Sequence, residues 1–143
     1  KDNYDFVIVD LGPSLNLLTI NGLLASDEVI IPVQCEYYSL EGVSQLVRTI
    51  DLIRNNLGHP IKVAGALLTM ADRREKLSRE VAEEVRRNFP HYVYEVEIPR
   101  SVALAEAPSF QKPVVLHAPQ RPGALAYEKL ALDGIGQDVE REE

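Results

Sequence analysis

The spacing of apolar residues changes repeatedly along this chain between the period of a strand and the period of a helix. Continuous or alternating apolar runs, rich in β-branched residues, predict strands over 5–10, 28–34, 61–70 and 92–99. Apolar residues at helical spacing predict helices over 15–27, 39–58, 75–89, 101–109 and 122–140, with a short extended piece at 113–117. Strands and helices therefore alternate for most of the sequence.

Residues that start and stop helices support these boundaries. Ser39 is a good N-cap, and Gly58 followed by Pro60 is a typical helix end. Alternation at this spacing predicts an α/β fold in which a parallel sheet is wound with helices. Ligands of such sheets bind beyond the carboxyl ends of the strands. The positions of interest are then those that end strands: Asp10, 34–36, 69–72 and 99–100.

Composition and charge narrow the class of protein. A chain of 143 residues with 45% apolar and 26% charged residues fits one globular domain. No apolar run approaches the ~18–20 residues that a membrane span needs, and the single cysteine, Cys35, suits a reducing cytoplasm. The net charge of −7 argues against a protein that binds DNA over its whole surface, because phosphate contacts need lysine and arginine.

One basic cluster stands out from this acidic background. It comprises Arg73, Arg74, Lys76, Arg79, Arg86 and Arg87. A solvated helix face would pair such cations with acids four residues away, as in Arg79–Glu83 and Glu83–Arg87. A local patch would instead bind phosphate groups. The helix face is the commoner outcome of such a pattern, and the residues alone leave both interpretations open.

Four sequence blocks, in order, resemble one protein family. They are YDFVIVDLGPSL, IPVQCEYYSLEG, GALLTMADRR and IPRSVALAEAPSFQKPVV. Together they look like the ParA/Soj chromosome- and plasmid-partitioning ATPases, relatives of MinD. The resemblance implies a P-loop NTPase fold of the deviant Walker A, or SIMIBI, type. The sequence contains no G-x-x-x-x-G-K-[ST] loop, so we expect the whole of 1–143 to be a partial domain, the carboxyl-terminal portion of the family's nucleotide-binding domain.

The resemblance implies roles for residues that follow the first two strands. Asp10 matches the family's catalytic Walker B aspartate, which holds Mg²⁺ through water, as suits a hard cation that keeps most of its hydration shell. Gly12 and Pro13 match the switch region, where the family usually has two prolines and the backbone approaches the γ-phosphate. The resemblance therefore implies that Pro13 is a catalytic residue together with Asp10. Glu36 and Tyr37 match a loop on the family's nucleotide-sandwich dimer face. From the residues alone, Asp10 could equally cap the following turn, and Tyr37 could pack a loop.

By the same resemblance, residues that follow the later strands border the adenine of bound ATP. They are Met70, Asp72, Pro99 and the backbone around Arg100. They come from two separate blocks of the sequence, which a single parallel sheet would bring to one edge. We therefore expect Met70, Asp72 and Pro99 to share a crevice with Asp10.

The resemblance also implies a DNA-binding surface. Arg73 matches an arginine that the family uses on non-specific DNA. A second arginine of the family is replaced here by Ala103. The DNA footprint would then be weaker, or it would be built with Arg74, Arg79 and Arg86 instead.

These matches imply the function of the intact family member. It would bind ATP and Mg²⁺, form a homodimer, coat nucleoid DNA in the cytoplasm and be released on hydrolysis stimulated by a ParB-like partner. Without a phosphate-binding loop, the segment alone is expected to be inactive as an ATPase. The alternative is a non-catalytic, truncated ParA-like binding module that competes for dimer, DNA or ParB-type partners. A MinD-like membrane protein is disfavoured, because the acidic end ALDGIGQDVEREE is not a basic amphipathic helix.

Overall fold

The computed structural model describes residues 3–12, 14, 16–36 and 39–141, and it contains two strands flanked by helices. In chain order the elements are α1 (Leu17–Leu24), β1 (Glu28–Gln34), α2 (Ser39–Leu57), β2 (Lys62–Thr69), α3 (Lys76–Asn88), α4 (Val102–Glu106), a 3-10 turn (Ala107–Phe110), α5 (Val114–His117) and α6 (Pro122–Arg141). The predicted alternation of strand and helix is therefore confirmed for the middle of the chain.

Local capping fixes the ends of the helices. The side chain of Asn16 accepts hydrogen bonds from the backbone N–H groups of Leu18 and Thr19, at 3.0 and 3.1 Å, so α1 begins two residues later than predicted. Gly58 follows α2 with a φ of 64°, the left-handed conformation that glycine adopts at low cost at a helix end.

The sheet is parallel, as predicted. β1 and β2 pair from Glu28 with Lys62 to Gln34 with Thr69, and one irregularity falls between Val29 and Ile30. Because parallel strands need a crossover, α2 connects them.

Both faces of β2 are covered, which explains its unbroken apolar sequence. Leu68 packs with side chains of α1, α2 and α3 in the larger hydrophobic cluster. Leu67 points to the opposite face, where it packs with Tyr94 and with Leu130 of α6. Successive side chains of a strand point to opposite faces, so the sheet lies between two helical layers.

The predicted strand 92–99 forms only in part. This segment runs alongside β2 and makes two isolated parallel bridges, Ala66 with Val93 and Ala71 with Pro99. Pairing is interrupted between them. The approach to β2 is close, since a Cβ on Gly65 would lie 2.9 Å from the carbonyl oxygen of Tyr92. The residue at 65 therefore has to be a glycine for this segment to lie where it does.

The predicted strand 5–10 is wrong in this structure. Residues 6–10 have no regular structure, and Ile8 is 93% exposed although its sequence context is that of a buried strand. A strand needs a neighbour for its N–H and C=O groups, and in the described part of the chain β1 pairs only with β2. Leu11 is the first side chain of this segment to pack, beside Gly22 of α1.

The predicted extended piece 113–117 is also wrong. It is the short helix α5, in which the N–H groups of Leu116 and His117 both donate to the carbonyl of Pro113, each at 2.9 Å. Pro113 is the N-cap of this turn, a position where its missing N–H removes no hydrogen bond within the helix. The apolar run here is too short to distinguish a strand from a helix by its period.

Candidate functional site

The carboxyl ends of β1, β2 and the 92–99 segment meet at one edge of the sheet. Backbone hydrogen bonds hold them together: Cys35 N–H donates to Thr69 at 2.9 Å, Ala71 N–H to Ile98 at 3.1 Å, and Arg100 N–H to Ala71 at 3.2 Å. This ladder brings together the site residues predicted at three separate places in the sequence, namely Glu36, Met70, Asp72, Pro99 and Arg100.

An open groove of about 430 Å³ lies at this edge. It is lined by Ala71, Asp72, Arg73, Arg74, Glu97, Pro99, Arg100, Pro122 and Ala126. The last two residues belong to α6, so the final helix forms part of the groove wall. Met70 precedes this lining in the left-handed backbone conformation, with φ 52° and a side chain that is 43% exposed. Backbone conformations of this kind in non-glycine residues are concentrated at functional sites.

Arg74 binds the carboxylate of Asp72 at the edge of the groove. This carboxylate accepts from both Nε and Nη2 of Arg74, at 3.1 and 3.0 Å, and also from the backbone N–H of Arg74. Hydrogen bonds to the charged form favour that form, so Arg74 lowers the pKa of Asp72 to about 2. The backbone N–H of Asp72 donates to Ser78 Oγ at 3.0 Å, which ties the groove to α3. Asp72 is therefore a fixed negative charge near neutral pH.

Glu36 and Arg100 face each other across the same edge. Arg100 Nη2 donates to Glu36 Oε1 at 2.7 Å, and each side chain is more than half exposed. The resemblance implied different roles for these residues, with Glu36 on a dimer face and Arg100 beside the adenine of ATP. The structure instead brings them together as a pair.

The residues predicted around the magnesium site are only partly described. Asp10 and Gly12 lie in the irregular, exposed segment that precedes α1, whereas Pro13 and Tyr37 lie outside the described residues. The described residues contain no group of three His, Cys, Asp or Glu side chains able to hold a metal. An exposed carboxylate such as Asp10 does fit a cation that stays mostly hydrated, because Mg²⁺ is commonly held by one or two carboxylates.

Three of the four predicted DNA-binding arginines lie around a second groove, of about 220 Å³. Its walls include Arg73, Arg79, Arg86 and Glu97. Arg79 Nη1 donates to the carbonyl of Arg73 at 2.8 Å, and Arg74 belongs to the neighbouring groove. The structure thus places three of the four predicted arginines along one groove.

Sequence reasoning missed Glu97, which both grooves share. Its side chain is 16% exposed and contacts both Arg73 and Arg86. The signal was present in the alternation of 92–99, where Tyr94, Val96 and Ile98 are buried on one face. A charged residue at an intervening, half-covered position needs a partner from the opposite layer.

Cys35 is buried at the same edge and is no candidate nucleophile. Burial raises the pKa of its thiol, and the hydrogen bond with Ser78 offsets this only in part. A buried thiol with a raised pKa is unreactive.

The fold is shared with solved structures of a nucleotide-binding protein. Cobyrinic acid a,c-diamide synthase from Mycobacterium smegmatis superimposes with a TM-score of 0.70 and 32% sequence identity, over 92% of this chain and 46% of that one. That synthase has also been crystallised with ADP and magnesium and with an ATP analogue and magnesium. The α/β architecture is therefore that of the P-loop ATPases.

Sequence comparison identifies the family within this class. Residues 1–63 match a family described as an AAA domain. The sporulation initiation inhibitor protein Soj of Bacillus subtilis is 53% identical over 92% of this chain and 52% of its own length. The chromosome partitioning protein ParA of Caulobacter vibrioides is 46% identical over 97% and 52%, and the chromosome-partitioning ATPase Soj of Treponema pallidum 43% over 99% and 56%.

The chain is homologous to the ParA/Soj proteins over nearly all of its own length, and it spans about half the length of these curated relatives. The resemblance drawn from the four sequence blocks is thereby confirmed. Within the described ranges, no helix is both long and apolar enough to cross a membrane.

Proposed function

We propose that this chain is the carboxyl-terminal portion of a chromosome or plasmid partitioning ATPase. The intact protein binds ATP with Mg²⁺, dimerises, binds DNA without sequence preference and works with a ParB-like partner. One observation carries the proposal: in a chain homologous to Soj and ParA, Met70, Asp72, Pro99 and Arg100 lie at the carboxyl edge of one parallel sheet. Ligands of open α/β sheets bind at this edge.

The residues at this edge fit the base side of a nucleotide site better than the phosphate side. The larger groove offers apolar backbone and proline surface from Ala71, Pro99 and Pro122, beside the fixed charge of Asp72. Small-molecule sites are usually of this kind, mostly apolar with a few placed polar groups. The 143 residues contain no phosphate-binding loop motif.

Asp10 is the residue that we assign to the metal. Its carboxylate would hold a hydrated Mg²⁺ through water, and the bound ion would neutralise phosphate charge. Leu11, the residue that follows Asp10, packs beside α1. Anchoring at Leu11 would position the aspartate, while Gly12 lies in open space where the chain can adjust.

The test uses the complete gene product that carries these 143 residues. We expect Mg²⁺-dependent ATP binding and hydrolysis, and we expect Asp10→Ala to abolish hydrolysis. Asp5→Ala is the matched control, because it removes the same charge from the same exposed segment. Equal loss in both variants, or full activity in Asp10→Ala, would refute the assignment of Asp10. The 143-residue chain alone should show no turnover.

A second candidate function needs no phosphate-binding loop. A non-catalytic ParA-like module would compete for dimer, DNA or partner without hydrolysis. A complete gene product that binds DNA or a ParB-like protein but neither binds nor hydrolyses ATP would establish that alternative.

A further inference from the structure

Glu97 connects two arginines that come from different parts of the chain. Its Oε2 accepts from Arg73 Nε at 3.2 Å, and its Oε1 accepts from Arg86 Nη2 at 3.0 Å. Arg73 follows β2 and Arg86 lies on α3. The carboxylate itself is 16% exposed, and charged groups with so little water around them are normally held by partners.

Arg86 is the fixed end of this connection. Its Nη1 also donates to the carbonyl of Tyr94 at 3.2 Å, and its side chain is only 35% exposed. The guanidinium therefore holds both the backbone and the side chain of the 92–99 segment. Arg86 thus fixes Glu97 in position.

Arg73 is the free end. Its side chain is 83% exposed, and in the part of the chain that the structure describes only its Nε has a side-chain partner. Arg74 differs, because Asp72 occupies both its Nε and its Nη2. A guanidinium bonded through Nε alone keeps both terminal nitrogens for a planar, two-pronged contact with a phosphate group.

We propose that Glu97 is a positioning residue that, anchored by Arg86, holds Arg73 with its two terminal nitrogens directed outward to a DNA phosphate. This inference rests on the DNA binding proposed above, and it divides the roles of the arginines. Arg73 contacts the phosphate, Glu97 orients Arg73, and Arg86 holds Glu97. Arg74 contributes less to phosphate binding, since its Nε and Nη2 already donate to Asp72.

A positioning role for Glu97 and a simple charge effect predict opposite changes in DNA affinity when Glu97 is removed. Removal of Glu97 raises the charge of an arginine face that must bind a polyanion, so charge alone predicts tighter binding. Loss of orientation predicts weaker binding, because a long exposed side chain must then be ordered at the moment of contact. The sign of the change in affinity decides between the two.

The experiment measures binding of mixed-sequence duplex DNA to the complete gene product with ATP and Mg²⁺, at several salt concentrations. We expect Glu97→Ala to bind about threefold to tenfold more weakly at low salt, and the slope of log K against log salt to fall by about one for each lost phosphate contact. Glu95→Ala is the matched control, because it removes the same charge two residues away on an exposed side chain. The control should bind as tightly as the wild type or slightly more tightly.

Glu97→Gln and Glu95→Gln form a second pair that keeps the shape of the side chain, should Glu97→Ala fail to fold. Glu97→Gln should still bind more weakly than Glu95→Gln. The Nε–H resonance of Arg73 in a proton–nitrogen NMR spectrum should shift in Glu97→Gln and stay in place in Glu95→Gln. Arg73→Ala should bring the affinity down at least as far as Glu97→Ala.

The outcomes distinguish a failure of the positioning role of Glu97 from a failure of the proposed DNA binding. If the wild type binds DNA and Arg73→Ala does not, but Glu97 variants bind as tightly as the Glu95 controls, the positioning role is refuted and DNA binding stands. An unchanged Arg73 resonance in Glu97→Gln would also refute the positioning role. If the wild type does not bind DNA at any salt concentration, the proposed function itself fails.

Discussion

Two apolar segments of similar sequence have opposite fates in this protein. The run DFVIVD at 5–10 and the strand β1, EVIIPVQ, are both rich in β-branched residues. Ile31 in β1 is 2% exposed, whereas Ile8 is 93% exposed. β1 has a neighbour that satisfies its backbone and helices that cover it, and 5–10 has neither among the described residues. A strand is therefore made by its lateral partner as much as by its own sequence.

The strongest way to break this comparison is to make the same substitution in both segments. We expect Ile31→Ala to lower the free energy of unfolding of the 143-residue chain by about 2–5 kcal/mol, since it leaves a cavity in the core. Ile8→Ala should change it by no more than about 0.5 kcal/mol, as for an exposed side chain. Urea denaturation measures both. Similar costs would mean that 5–10 is buried in solution.

Self-association is the next expected effect. Exposed apolar runs with unsatisfied backbone groups pair with other chains. We therefore expect the 143-residue chain to associate as its concentration rises, and Ile8→Lys to weaken this association. Sedimentation velocity at several concentrations provides the measurement, with Leu132→Lys, also at an exposed apolar side chain, as the control. A chain that stays monomeric throughout would show that 5–10 does not act as a pairing edge.

Features that depend on residues adjacent in the chain could be predicted from the sequence. Features that depend on elements packed alongside, which come from elsewhere in the sequence, could not. The end of α2 at Gly58 depends on residues next to it in the chain, and the prediction was right to within a residue. Strand pairing at 5–10 and the interruption of 92–99 depend on what lies alongside, which a period of two does not reveal. Glu97 was missed for the same reason, because its partner Arg86 comes from another layer.

The edge where the 92–100 segment meets the ends of β1 and β2 offers a finer comparison, between a side-chain link to Glu36 after β1 and backbone links to Ala71 after β2. We expect Glu36→Gln, which breaks the exposed pair with Arg100, to cost only about 0–1 kcal/mol. The backbone ladder through Ala71 should keep the segment in place. Thermal unfolding measures the cost. A loss as large as that expected for Ile31→Ala would show that the ion pair, not the ladder, holds this edge.

The smallest expected effect concerns pH. The pKa of Asp72 is lowered from 3.8 to about 2 by Arg74, so the charged form is favoured in the folded state. Its stabilising contribution is complete above pH 3.8 and is lost as the pH falls through about 2. The difference in stability between wild type and Asp72→Asn should therefore shrink over this range, as followed by denaturation at each pH. In an Arg74→Ala background the dependence should weaken without disappearing, because the backbone N–H of residue 74 still donates to Asp72. An unchanged dependence would show that the Arg74 side chain is not its cause.

Gly65 has a consequence for anyone who wishes to redesign this protein. The gap between β2 and the backbone at Tyr92 is too narrow for a single methyl group, and the segment that begins there carries both Glu97 and Pro99. A substitution library at position 65 would thus move two grooves at once, without touching a residue of either. This one glycine therefore constrains the geometry of both grooves, and engineering of either groove has to leave it unchanged.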